Sequence, residues 1–78
     1  MKTTAYFEAI RRRPDRVVIR NEWIQRTIES PIREFVQADG RIRRWGGVPE
    51  AEGKFLRVVL LSDGETVHNA FCDRGFKP

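Results

Sequence analysis

The sequence predicts an α+β fold in which two N-terminal helices pack on one face of a four-stranded antiparallel β-meander. Apolar residues recur at helical spacing as far as Pro31 and at alternate positions beyond it. Two Asp-Gly pairs, Asp39-Gly40 and Asp63-Gly64, each separate two strand-like runs as hairpin turns do. At 78 residues the chain has room for one domain, residues 1–78, and one core.

A first helix is expected near residues 4–13. Thr3 or Thr4 supplies an N-cap, Tyr6, Phe7 and Ile10 follow at helical spacing, and Pro14 ends it. Val17, Val18 and Ile19 form a short apolar bridge. A second helix is expected near residues 21–30, capped by Asn21. Trp23, Ile24, Thr27 and Ile28 make its buried stripe, Glu22 faces Arg26, and Ser30-Pro31 ends it. The strand-like runs are residues 33–38, 41–48, 54–62 and 65–73.

Tight turns fix register, so partners across the sheet follow from the turns. Both Asp-Gly pairs read as two-residue loops, and the one at Asp63-Gly64 sets Leu61 against Thr66, Leu60 against Val67, Val59 against His68 and Arg57 against Ala70. Closing the longer turn with Val48 and Lys54 sets Trp45 against Arg57, Arg43 against Val59 and Ile42 against Leu60. Alternation then assigns Phe35, Ile42, Leu56, Val58, Leu60, Val67 and Phe71 to the helix-covered face. Gln37, Arg44 and Asn69 sit among them as misfits. The opposite face gathers Arg41, Arg43, Trp45, Arg57 and His68, with Glu34 beside Trp45. Val36, Phe55, Val59 and Leu61 share that face, so the tail Gly75-Phe76-Lys77-Pro78 or a partner is expected to cover part of it.

Net charge is +4 and the excess is uneven. Residues 1–20 carry Lys2, Arg11, Arg12, Arg13, Arg16 and Arg20 against Glu8 and Asp15, whereas residues 49–78 are nearly neutral. A concentrated basic surface favours polyanions such as RNA, or an acidic protein partner; a plain solvated face that aids solubility is the alternative. The lone Cys72 excludes an internal disulfide and suits a reducing compartment. No apolar run approaches the ~18 residues of a membrane span, and no hydrophobic leader opens the chain. A cytoplasmic protein without membrane attachment is the expectation.

Metal or cofactor chemistry is not signalled. His68 and Cys72 lie four strand residues apart, about 13 Å at ~3.3 Å per residue, too far to share one ion. Cys72 reads as a packing residue. His68 is either a half-buried imidazole or the general acid or base of a metal-independent ribonuclease. In that second reading Arg43 and Arg57 stabilise phosphorane charge, and nearby arginines depress the His68 pKa. Arg41, Arg43, Trp45, Arg57 and Arg74 form the candidate nucleic-acid-binding set. Trp45 against the Arg57 stem is a cation–π pair worth about 0.5–1 kcal/mol if exposed.

The succession "YFEAIRRRPD", "EWI", "DGRIRRW", "VPE", "LRVVLL" and "DGETVHNAFCDR" resembles a group of small bacterial domains often found on mobile elements. These are distantly similar to the RelE/ParE toxin superfamily, in which helices precede an antiparallel sheet. The resemblance implies a toxin-like RNA-binding domain, with ribosome-bound mRNA as a target and an acidic antitoxin-like protein as a partner. Arg43, Arg57, His68 and Arg74 are the positions onto which its basic and catalytic residues carry over. A first strand ahead of the helices is absent here unless residues 1–4 supply one. The competing expectation is a non-catalytic interaction module, using edge strands and an exposed Trp45 to hold a protein partner or a second copy.

Overall fold

A computed structural model describes residues 1–78. Helices come first and a single antiparallel sheet follows, its strands in the order β1-β2-β3-β4. These are β1 (Arg33–Val36), β2 (Ile42–Val48), β3 (Lys54–Leu60) and β4 (Val67–Cys72). A 3₁₀ turn, Pro49–Ala51, joins β2 to β3.

Three helical segments precede the sheet where two were expected. Thr4 caps α1 (Ala5–Ile10), its side chain accepting the Phe7 N–H. Pro14 ends that run but also opens α2 (Pro14–Val17). Its fixed φ and missing N–H suit the first turn of a new helix as well as they oppose continuing an old one. The long helix α3 (Asn21–Glu29) starts one residue earlier than its expected cap, from Arg20. Asn21 is freed to accept a hydrogen bond from Arg11 instead. Arg26 turns away from Glu22 and pairs with Glu50 at 2.9 Å, an exposed contact of small energetic weight.

The core lies between the helices and one sheet face. Phe7, Ile10, Ile19, Trp23 and Ile24 meet Val48, Leu56, Val58, Leu60, Val67 and Ala70, with Ile28 and Ile42 at its margin. Gly46 lets α3 approach β2 closely: a Cβ there would stand 2.6 Å from Thr27 Oγ1.

Between β2 and β3 the register is the expected one, with Trp45↔Arg57, Arg43↔Val59, Ile42↔Leu60 and Val48↔Lys54. The first hairpin departs from expectation. A two-residue type I′ loop needs positive φ at both central residues, but Gly40 adopts it (φ 90°) and Asp39 does not. The loop therefore takes three residues, Gln37 N–H bonding Arg41 O and Gly40 N–H bonding Gln37 O. β1 slides by one, giving Phe35↔Arg43 and Glu34↔Arg44.

β4 departs too. Leu60↔Val67 pairs as expected, but a bulge follows, so Val59 faces Asn69 rather than His68 and Arg57 faces Phe71 rather than Ala70. A bulge turns every later side chain to the opposite face. The two shifts correct the face assignments together. Phe35, Gln37, Asn69 and Phe71 move to the outer face; Glu34 and Val36 move to the helix side. Cys72, opposite Leu56, is on the helix side as well. Ahead of α1, Thr3 forms an isolated parallel bridge with Val67, a fragment of the missing first strand.

Candidate nucleic-acid interface

The outer sheet face is built around rings and guanidinium groups in alternation. Arg33 lies over Phe76 (5.0 Å), Phe76 stacks on Trp45 (centroids 5.1 Å apart), and Arg57 lies over both Trp45 (5.4 Å) and Phe71 (5.0 Å). Arg16, reaching from α2, closes the row over the same Phe71 at 5.1 Å. The row exists because the bulge brings Phe71 beside Arg57 and because the tail folds back.

Asp73 fastens the tail. Its Oδ2 accepts the Trp45 indole N–H at 2.9 Å and two N–H groups of Arg57 at 3.0 and 2.8 Å. Its Oδ1 accepts Gly75 N–H at 3.1 Å. The Trp45 bond, then the Arg57 bonds and charge, hold the Asp73 carboxyl below its ordinary pKa against the opposing effect of burial. Phe76 then covers Trp45, which is 7% exposed. The expectation of an exposed Trp45 is thus overturned: the tail covers this part of the face and leaves the indole little free surface for a base.

The remaining candidate residues lie apart from one another. Arg43 reaches toward β1, bonding Gln37 Oε1 at 2.9 Å and lying 5.7 Å from the Phe35 ring centroid. Arg41 is exposed, with Asp39 at 3.8 Å. Arg74 is exposed beside a surface cavity of about 420 Å³ that Lys54, Phe55 and Phe76 also line. His68 sits at the far edge of the sheet, in the bulge. Its Nδ1 is 3.1 Å from Thr4 Oγ1 and its ring stacks on Tyr6 at 4.8 Å. Burial first, and then the charge of Arg41, lowers its pKa, so the imidazole is neutral at pH 7. Val59 separates Arg43 from Asn69 in the pairing row, two strand spacings or about 10 Å. Arg57, meanwhile, is turned to Asp73. The three residues expected to act together each engage a different neighbour.

The arginines of the sheet differ in whether a carboxylate meets them, as Asp73 meets Arg57. Arg44, on the helix side, is neutralised by Glu34 at 2.7 Å and also bonds Ile28 O. On the outer face Arg33 and Arg43 have neutral oxygens as hydrogen-bond partners, Lys77 O and Gln37 Oε1, and no ion pair. No three His, Cys, Asp or Glu side chains converge as metal ligands. No helix is long and apolar enough to cross a membrane.

Comparison with family models, curated proteins and solved structures finds no match to this chain.

Asp73, Arg33 and Arg16 are the site residues that sequence reasoning left without a site role, while Thr4 and Tyr6 were placed only in the first helix and Phe76 only in the covering tail. A buried tryptophan N–H needs an acceptor, and Asp73 is the carboxylate just past the end of β4, two strands from Trp45. The bulge concealed it by reversing the inferred face.

Proposed function

We propose that the protein is a small toxin-like RNA-binding domain whose outer sheet face engages the phosphate backbone. The observation that carries this reading is the pair of guanidinium groups, Arg33 and Arg43, left without carboxylate partners on a face where each lies over an aromatic ring. Such groups keep their charge and spare N–H donors for phosphate oxygens. Arg41 and Arg74, at opposite ends of the face, extend the same positive surface. An acidic antitoxin-like protein would find the same cations.

The test is a titration of labelled single-stranded RNA at several salt concentrations. Arg41, Arg43 and Arg74 are replaced together by Gln; Arg57 is spared because it anchors the tail. Wild-type affinity should fall steeply with salt, and the triple variant should lose about 0.7 of log–log slope per lost contact, about 2 in all. Equal, salt-insensitive binding by both proteins would refute the reading.

A ribonuclease reading has one specific observation in its favour. Thr4 fixes Nδ1 of a neutral His68; in the tautomer that donates Nδ1–H to Thr4, Nε2 is free to accept a 2′-hydroxyl proton. His68→Ala separates the readings, since it abolishes cleavage in an enzyme and leaves binding intact in a pure binder. Controlled expression in a bacterial host, with growth and total RNA followed together, tests the toxin-like role.

A further inference from the structure

Antiparallel sheets have two edges, and here one is closed. At β4, Val67 exchanges hydrogen bonds with Lys2 O and Thr4 N, and Ala70 N–H is taken by the Asn69 side chain. A bulge and Arg16, bonded to Asn69 at 2.7 Å, complete the blockade. These are devices by which sheet edges avoid pairing with other chains.

β1 has no such cover. All four of its residues are exposed, Phe35 and Val36 at 55% and 57%. Because Gln37 N–H bonds Arg41 O, alternation directs the N–H and C=O groups of Arg33 and Phe35 to β2 and those of Glu34 and Val36 outward. The outward groups are two donors and two acceptors spaced for one more strand.

We propose that the occupant is β1 of a second copy, paired antiparallel about a two-fold axis through Phe35. The register follows from the residues. Glu34 then meets Val36 of the other copy as a hydrogen-bonded pair, twice by symmetry, so all the outward groups are used. Phe35 meets its own counterpart at the close, non-hydrogen-bonded spacing, and Arg33 meets Gln37. No like charges oppose each other, and Glu34 is already neutralised by Arg44. Centring on Glu34 instead would oppose two carboxylates, and centring on Val36 would leave Phe35 against Gln37. In the Phe35-centred pairing, Arg43 over Phe35 repeats on the other side, and two four-stranded sheets become one of eight. The self-matching pattern, not exposure alone, selects a second copy over another protein's strand.

The experiment is sedimentation equilibrium of the full chain over about a hundredfold range of concentration, because a dimer responds to concentration by mass action. Wild type should pass from monomer to dimer. Phe35→Lys puts a charge at the two-fold, and Val36→Pro removes an outward N–H that β2 does not use; each should weaken association at least tenfold. Circular dichroism and thermal melting confirm that the variants fold. In a Cys72→Ser background, Phe35→Cys should form an intermolecular disulfide on mild oxidation. A wild type that stays monomeric throughout overturns the proposal and leaves the edge to a different chain. A dimer that both edge variants leave intact, or that Phe35→Cys fails to lock, overturns it equally.

Discussion

The two halves of the outer sheet face use the same residue types to opposite ends. Near β3 and β4, arginine and aromatic side chains are sealed: Arg57 and Trp45 share Asp73, Phe76 covers the indole, and Arg57 and Arg16 sandwich Phe71. Near β1 the same motif is open, with Arg43 over a Phe35 that is more than half exposed and no carboxylate at hand. One carboxylate and one tail ring account for the difference. A guanidinium on a ring is therefore structural or available according to what closes the pair.

The largest effect should come from breaking the closed half at its hub. Asp73→Ala leaves the Trp45 N–H without an acceptor and Arg57 half-buried without its counter-charge. The expected cost is about 2–4 kcal/mol, read by urea denaturation. The pH dependence sharpens the point. The folded Asp73 pKa is depressed, so its contribution is complete above the unfolded value near 3.9 and is lost as pH falls through the lower folded value. Asp73→Asn should flatten the acid limb of the stability curve; an unchanged limb would deny the carboxylate this role.

Next comes the cover itself. Phe76→Ala removes a ring stacked on Trp45 and set edge-on to Phe55 at 5.2 Å. A loss of about 1–3 kcal/mol is expected, together with a red-shifted tryptophan emission as water reaches the indole. If emission stays unshifted, the tail is not what keeps Trp45 dry.

How far the two halves could be read from the residues differs for a physical reason. The helices, the meander and the β2–β3 register follow from periodicity and from a turn whose flanking residues, Val48 and Lys54, were correctly paired. The errors sit where one residue decides parity. Asp39-Gly40 has the composition of a type I′ turn, but only Gly40 takes positive φ, and β1 slipped. On β4, nothing in "VHNAF" marks His68 as a bulge, since its cause is tertiary: Thr4 and Tyr6 on one side, Asn69 bonding its own neighbour's N–H. The misfits carried the warning. Gln37 and Asn69, awkward on a buried face, lie on the outer face once the register is right. Arg44 stays on the helix side because Glu34 moves in beside it.

A smaller effect is expected at the β4 edge. His68 has a depressed folded pKa, so protonation opposes folding. The stability it confers is complete above about pH 6.5 and is lost as pH falls from there through the lower folded value. His68→Gln should remove that gentle slope while leaving the plateau above neutrality nearly level. Urea denaturation of both proteins at a series of pH values between about 5 and 8 measures it; parallel slopes would mean that His68 is not the titrating group.

The smallest effect should be found at Phe35, and its smallness is the informative part. Phe71 and Phe35 lie on one face, each beneath a guanidinium, yet Phe71 is flanked by two and partly buried, whereas Phe35 has Arg43 alone. A ring already more than half in water loses little further burial on truncation, and its single cation–π contact is worth about 0.5–1 kcal/mol at an exposed site. At concentrations low enough to keep the chain monomeric, Phe35→Ala should therefore shift stability by no more than about 0.5–1 kcal/mol. Phe71→Ala should cost more, because it empties the space between Arg57 and Arg16. The denaturation midpoints of the two variants decide the matter. If Phe35→Ala proves the more damaging, β1 is part of the folded core of the monomer and the contrast between the halves disappears. If it is nearly silent in the monomer, a large apolar ring stands at the sheet edge without contributing to the fold of its own chain.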